Sequence, residues 1–190
     1  MIGMRNIIIA GVGGQGLVLA TKIISEAAFR AGLDVKTNDV VGLSQRGGMV
    51  WGSIKMGKKV YSPNILPGEG DILLGMEPLE AYRWSYQMKE GGTIILNEKE
   101  VYPTPALLEQ EEYPYEEIEN LKDKFHIIKV DAMEEAKMAG NIKAANTVLI
   151  GMLAKELSID VDIWKEVLKE NVPSKAVDVN IVAFHRGYDI

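Results

Sequence analysis

Gly11, Gly13 and Gly16, with Gly14 and Gln15 between them, follow the apolar run Ile7, Ile8, Ile9, Ala10 in the stretch IIIAGVGGQG. The spacing is G-x-G-x-x-G, placed where a short strand gives way to a helical pattern. That arrangement turns free backbone amides and the positive end of a helix toward a phosphate or another anion. On this reading Gly11 permits the bend, Gly13 lets the backbone approach the anion, Gly16 lets the helix pack close to the strand, and Gln15 offers a hydrogen bond at the mouth. Gly14 adds conformational freedom. Glycine-rich turns of this kind also serve packing alone, and that reading stands beside the first.

A second segment, GLSQRGG at 42–48, sets Ser44, Gln45 and Arg46 between glycines just after the second expected strand. The planar fork of Arg46 suits a phosphate or a carboxylate, and Gly47 and Gly48 let backbone come near. If the first two strands lie side by side in a parallel sheet, this loop and the glycine turn share one crevice, with the turn's amides bare and Arg46 within reach of them. An arginine in a plain surface turn is the alternative.

Other catalytic patterns fail on spacing. Ser44 is not a hydrolase nucleophile, because G-L-S-Q-R-G has one residue too many for G-x-S-x-G. The glycine turn lacks a G-K-[ST] ending, so it is no P-loop, and Thr21-Lys22 falls well inside the following helix. His126 opens an expected strand and His185 lies in the last expected helix, so both read as structural. The turn Gly68-Glu69-Gly70-Asp71 has no run of ligands behind it and reads as a loop rather than a cation site. A free-standing nicotinamide enzyme needs an acidic residue about 20 positions after the turn to hold the ribose. Asp39 is near that place, yet it runs into VVGLSQRGG instead of a helix.

The elements that must hold these residues are legible as a pattern. A helix is expected over about 14–31, with Lys22, Glu26 and Arg30 as its one wet stripe, and Gly32 as its stop. DVKTNDVV then begins a second strand. GMVWGSIKMG and KKVYSP read as two strands joined by a tight connection at Gly57, Lys58 and Lys59, an antiparallel insertion. The apolar runs at 71–75, 93–97 and 126–130 restore a parallel alternation. The proline- and glutamate-rich stretch 102–122 reads as a solvated connection with a helical turn or two. From 143 onward the chain is helical, with Asp160 as an N-cap, Pro173 as a stop, and Val177, Ile181, Phe184 and Tyr188 as one apolar stripe. The expected fold is α/β and Rossmann-like, a mostly parallel sheet with an inserted antiparallel hairpin, helices on both faces and C-terminal helices, in a single domain over 1–190.

Composition sets the outer bounds. A chain of 190 residues that is 47% hydrophobic can bury a sizeable core as one unit. A formal net charge of -6 with no block of Lys and Arg argues against a nucleic-acid surface. The absence of cysteine removes disulfides, thiolate nucleophiles and Cys-held zinc or iron–sulfur centres from this chain. MIGMRNIII reaches the first strand without the apolar core of a signal peptide, and no apolar run approaches the roughly 20 residues that span a bilayer, so a cytoplasmic location is expected.

The pair GVGGQG and GLSQRGG, followed by the expected hairpin and later by the Asn-bearing helix NIKAANTVLIGMLAKEL, resembles the gamma-type subunit of the 2-oxoacid:ferredoxin oxidoreductases across nearly the whole chain. Within that family it is most similar to the small, beta-named subunit of the indolepyruvate enzymes, and the domain resembled is the pyruvate/ketoisovalerate gamma type. The resemblance implies membership of a complex that oxidatively decarboxylates a 2-oxoacid to an acyl-coenzyme A and passes electrons to ferredoxin. It also implies that thiamine diphosphate, magnesium and the 4Fe-4S clusters sit on a large partner subunit, with no cofactor held tightly by this chain. The absence of cysteine and of a G-D-G…N-N diphosphate–magnesium pattern is consistent with that division. The implied contribution is to complete the active-site interface, with Gly11, Gly13, Gly14, Gln15 and Gly16 and the loop of Ser44, Gln45, Arg46, Gly47 and Gly48 facing the partner's thiamine site or the coenzyme A. The chain is expected to be inactive alone, to expose an apolar patch where it meets its partner, and to pair with itself when isolated. Two other readings stay open: a free-standing NAD(P)- or flavin-dependent oxidoreductase using Gly11, Gly13, Gly16 and Asp39, and a non-catalytic regulatory Rossmann-like domain.

Overall fold

A computed structural model describes residues 3–38, 48–102 and 112–190. The apolar run after Arg5 forms strand β1 (Arg5–Val12), and the alternation of its side chains decides the layering. Ile7 and Ile9 point into one core, while Ile8 and Ala10 point into another. Helix α1 (Leu17–Arg30) buries Leu17, Ala20, Ile23, Ile24, Ala27 and Ala28, and leaves Lys22 exposed. Gly32 adopts a φ of 81° and closes the helix, with its amide on the Phe29 carbonyl at 2.9 Å.

Strands β2 (Asp34–Asn38), β3 (Met49–Gly57), β4 (Gly70–Gly75), β5 (Met88–Asn97) and β6 (His126–Val130) complete a six-stranded sheet in the order β2-β3-β1-β4-β5-β6. β1, β4, β5 and β6 run parallel, and β3 is antiparallel to both β1 and β2. The inserted hairpin is therefore β2–β3. KKVYSP, expected as its second strand, is irregular: Asp34 accepts a hydrogen bond from the Val60 amide and pins this stretch beside β2. The expected neighbourhood of the first two strands is corrected in the same way. β3 lies between them, with Gly11 opposite Val50 and Val12 opposite Met49.

Helices cover the two faces unequally. α1, α4 (Ala132–Met138), α5 (Ala145–Leu157), α6 (Val161–Asn171) and α7 (Val177–Tyr188) pack on the face carrying Ile7, Ile9, Ile54, Leu74 and Ile95. The other face holds Ile8, Ala10, Leu73, Ile94 and Leu96 under the short α2 (Pro78–Trp84), whose Trp84 stacks on Trp51 with ring centroids 4.2 Å apart. The proline-rich connection contributes one short helix, α3 (Tyr115–Glu119), followed by a 3-10 turn. Asp160 caps α6 as expected, accepting from the Asp162 amide at 2.9 Å. In α7 the buried face is Asn180, Ala183, Phe184 and Gly187, so the expected stripe holds at Phe184 and lies only partly buried at Val177, Ile181 and Tyr188. α5 and α7 meet backbone to backbone: a Cβ on Gly151 would stand 2.1 Å from the Phe184 carbonyl oxygen, and one on Gly187 would stand 1.9 Å from that of Val148.

Candidate functional site at the carboxyl edge of the sheet

The glycine turn lies at the carboxyl end of β1, between that strand and α1. Its glycines divide their tasks differently from the expected order. Gly11 still belongs to the strand, where a Cβ would come 2.6 Å from the Gln15 Oε1 and 3.0 Å from the Met76 Cβ, so its role is to make room. The bending falls to Gly14 and Gly16, whose φ values of 97° and 77° lie in the left-handed region that favours glycine.

The side chain of Gln15 works inward. Its Oε1 accepts from the Val12 amide at 2.7 Å, its Nε2 donates to the Met76 carbonyl at 3.2 Å, and its own amide donates to the Val12 carbonyl at 3.1 Å. The Gly13 amide donates to the Gly48 carbonyl at 2.8 Å, which ties the end of the second glycine-rich segment to the first. Asp39, Ser44, Gln45, Arg46 and Gly47 lie outside the described residues. β3, though it separates β2 from β1, runs back along β1 and so delivers Gly48 to the turn.

The expectation of a wholly bare turn is thus corrected, since Val12, Gly13 and Gln15 spend their amides within the protein. The amides of Gly14, Gly16, Leu17, Val18 and Leu19 have no acceptor among the described residues. Gly16 caps α1 without a side-chain acceptor, so the open donors cluster at the positive end of a 14-residue helix. This is a smaller cradle than expected, displaced toward the helix. Apolar side chains stand exposed around it: Val18 and Leu19 on the first turn of α1, Met49 opposite Val12, and Ile142 before α5.

The sequence reading gave no place at this edge to three groups that shape it, although the helix bearing the first of them was among the motifs of the resemblance. Asn146, at the start of α5, donates its Nδ2 to the Gln15 carbonyl. The signal available in sequence was an amide side chain at the head of an otherwise apolar helix. The Met76 carbonyl gathers Gln15 Nε2 and Asn97 Nδ2, linking the ends of β1, β4 and β5. Next to it Glu77, fully buried, accepts from the Glu80 amide at 2.8 Å, the Tyr113 hydroxyl at 2.6 Å and the Val101 amide at 3.3 Å. Burial raises the pKa of the Tyr113 hydroxyl, and its bond to Glu77 raises it further. Burial also pushes the Glu80 carboxyl up, against the pull of Arg83. Glu77 and Tyr113 are satisfied caps and struts, the Glu80 Oε2 is buried without a partner among the described residues, and no histidine or thiol pairs with them to make a nucleophile–base pair.

Among the described residues no three His, Cys, Asp or Glu side chains converge as metal ligands. His126 and His185 are placed on β6 and α7 as expected; Pro67 and Gly68 form a turn, and Gly70 and Asp71 open β4, with Asp71 paired to Lys89. A cavity of about 770 Å³ opens at the opposite, amino edge of the sheet, between Tyr82, Tyr86, Met88 and Phe125. Its lining sets three carboxylates, Glu90, Glu117 and Asp123, against Lys124 and so disfavours an anion. No described helix is long and apolar enough to cross a membrane.

Residues 6–190 match the family described as pyruvate ferredoxin/flavodoxin oxidoreductase. The indolepyruvate oxidoreductase subunit IorB of Pyrococcus horikoshii is 37% identical over 188 residues, covering 96% of this chain and 93% of that protein. The gamma subunit of a keto/oxoacid ferredoxin oxidoreductase from Geobacter sulfurreducens superposes with a TM-score of 0.72 at 23% identity, over 97% of this chain and 96% of that one. The 2-oxoglutarate:ferredoxin oxidoreductase of Magnetococcus marinus, solved with 2-oxoglutarate, coenzyme A and succinyl-CoA, superposes with a TM-score of 0.77 at 20% identity, over all of this chain and 31% of that one. Both structural likenesses are likenesses of fold.

Proposed function

The chain belongs to the pyruvate ferredoxin/flavodoxin oxidoreductase family, and on that premise we propose that it is the accessory subunit of a cytoplasmic 2-oxoacid:ferredoxin oxidoreductase acting on indolepyruvate. The substrate follows the IorB relative, which aligns end to end with this chain. In the Magnetococcus enzyme the same fold accounts for 31% of one longer polypeptide, which supports a part that works joined to others.

The observation that carries the reading is the head of α1. Gly14, Gly16 and the first helical amides offer donors and a positive dipole end with no acidic residue in the first turn. Such a group binds an anion by charge and shape and moves no proton. Coenzyme A brings phosphates of this kind, and so does the thiamine diphosphate of a large partner. Thiamine and the iron–sulfur clusters supply the decarboxylation and electron transfer when bound; the clusters are assigned to that partner because this chain has no cysteine, and the thiamine because it has no G-D-G…N-N diphosphate–magnesium pattern. This chain's residues hold the anion, keep water out of the interface through Val18, Leu19, Met49 and Ile142, and leave the reacting carbon to the partner. Arg46, from the segment that ends at Gly48, is assigned to the same anion.

The reading is tested by isolating the complex through a tag on this chain. The expected companion is a large, iron-containing, thiamine-dependent protein, and the pair reduces a dye with indolepyruvate only when coenzyme A is present. Arg46→Ala in this chain lowers that rate. Tight binding of NAD, NADP or FAD by the isolated chain would favour the free-standing oxidoreductase instead.

A further inference from the structure

We propose that Asn146 is a positioning residue for the anion contact of the glycine turn, acting by fixing the plane of the Gln15–Gly16 peptide. The inference rests on the anion-binding reading above and goes beyond it in naming what makes the turn competent.

A trans peptide is one rigid plane, with its carbonyl and its N–H pointing to opposite sides. The described residues contain no cis peptide bond. The carbonyl of Gln15 and the N–H of Gly16 belong to the same plane, and Asn146 donates to that carbonyl. The Gly16 N–H is thereby turned away from α5, toward the side where no described residue offers an acceptor. The other contacts of Gln15 act elsewhere: its amide fixes the preceding plane on Val12, and its side chain spans Val12 and Met76. The carbonyl is left to Asn146.

The plane has little else to hold it. It turns about the Gln15 ψ and the Gly16 φ, and Gly16, with a φ of 77°, exchanges between left- and right-handed regions at small cost. If the plane rotates, a carbonyl oxygen with its partial negative charge takes the direction that the Gly16 N–H now occupies, and attraction for an anion becomes repulsion. Asn146 is itself well anchored. The neighbouring Thr147 hydroxyl bonds the Asn180 Oδ1 at 2.6 Å, and the backbone contact at Gly151 and Gly187 locks α5 to α7. The carboxamide also fills the space beside Gly16, where a Cβ would come 2.8 Å from Nδ2. The assignment of the donating nitrogen follows from chemistry, since a carbonyl can only be met by the NH₂ end.

The test uses Asn146→Leu, which nearly keeps the shape, adds no charge and removes the donor, with Asn146→Ala as a second uncharged variant expected to behave alike. In ¹⁵N-labelled full-length chain, inorganic pyrophosphate is expected to shift the Gly16 amide of the native protein, and the Leu variant is expected to lose that shift while Ile7 to Ile9 keep their resonances. In the complex with the large subunit, the same variant is expected to raise KM for coenzyme A by about tenfold with kcat within about twofold, the effect of a lost binding contact. A Gly16 amide that responds to pyrophosphate equally in native and Leu chains, or not at all in either, overturns the proposal. So does an unchanged KM in an active complex. A complex without coenzyme A-dependent turnover would count against the proposed function alone, and the pyrophosphate titration would still decide the role of Asn146.

Discussion

The carboxamide of Asn146 occupies the space beside Gly16, so that a Cβ on the glycine would stand 2.8 Å from the amide nitrogen. A residue 130 positions along the chain thus limits what the glycine turn can accept. Gly16→Ala meets this obstacle and also a φ of 77°, which costs a residue with a Cβ about 1–2 kcal/mol. The variant is expected to melt several degrees lower, at about 2–4 °C per kcal/mol for a chain of this size, and to lose coenzyme A-dependent turnover out of proportion. Scanning calorimetry and the dye assay check the two effects separately.

Tyr113→Phe removes one hydroxyl with two duties, donating to Glu77 at 2.6 Å and accepting from the Leu79 amide at 3.1 Å. Both partners are buried; the Leu79 amide loses its acceptor and Glu77 keeps only the Glu80 and Val101 amides, at an expected cost of about 1–3 kcal/mol. Denaturant unfolding should show a lower midpoint with an unchanged slope.

Asp34 joins β2 to the stretch after β3, accepting from the Val60 amide at 2.9 Å and pairing with Lys36 at 2.9 Å. The Val60 bond, helped by Lys36, holds its carboxyl at about 2 rather than the ordinary 3.8. A carboxylate lowered in the folded state adds stability above its unfolded value, and that stability is lost as pH falls toward the folded one. The native chain is therefore expected to lose stability between about pH 4 and pH 2 more steeply than Asp34→Asn, which starts lower at neutral pH. Melting curves across that window check it, and parallel profiles would contradict it.

Gly151→Ala ordinarily favours a helix, yet here the new methyl would stand 2.1 Å from the Phe184 carbonyl oxygen. α5 and α7 would have to separate, at a cost of about 3 kcal/mol or more for overpacking of this kind. Because α5 carries Asn146, even a soluble variant is expected to disturb the Gly16 amide in ¹⁵N spectra.

Much of this fold was legible because it is written locally. The run IIIA, the stop at Gly32, the cap at Asp160 and the apolar stretch at 126–130 each declare an element through a few neighbouring residues. Strand partners are not written that way. GMVWGSIKMG reads as a strand, but nothing in it says that it lies between β1 and β2, since pairing is settled by distant residues such as Ile54 opposite Ile7. The site divides along the same line. The spacing of Gly11, Gly13 and Gly16 marks the turn, whereas the groups that shape it, Met76, Asn97 and Asn146, arrive from the ends of other elements. Gln15 was visible as a polar side chain in the turn, and its inward aim depends on Met76, 61 residues away.

The central claim is that this chain completes an active site whose reactive groups sit on another subunit. The most direct measurement is the rate of dye reduction by indolepyruvate and coenzyme A, with the large subunit alone and after this chain is added. The account predicts that the large subunit alone is nearly silent and that activity rises with added chain to saturation at a fixed ratio. Full coenzyme A-dependent turnover by the large subunit alone, unchanged on addition, would contradict it.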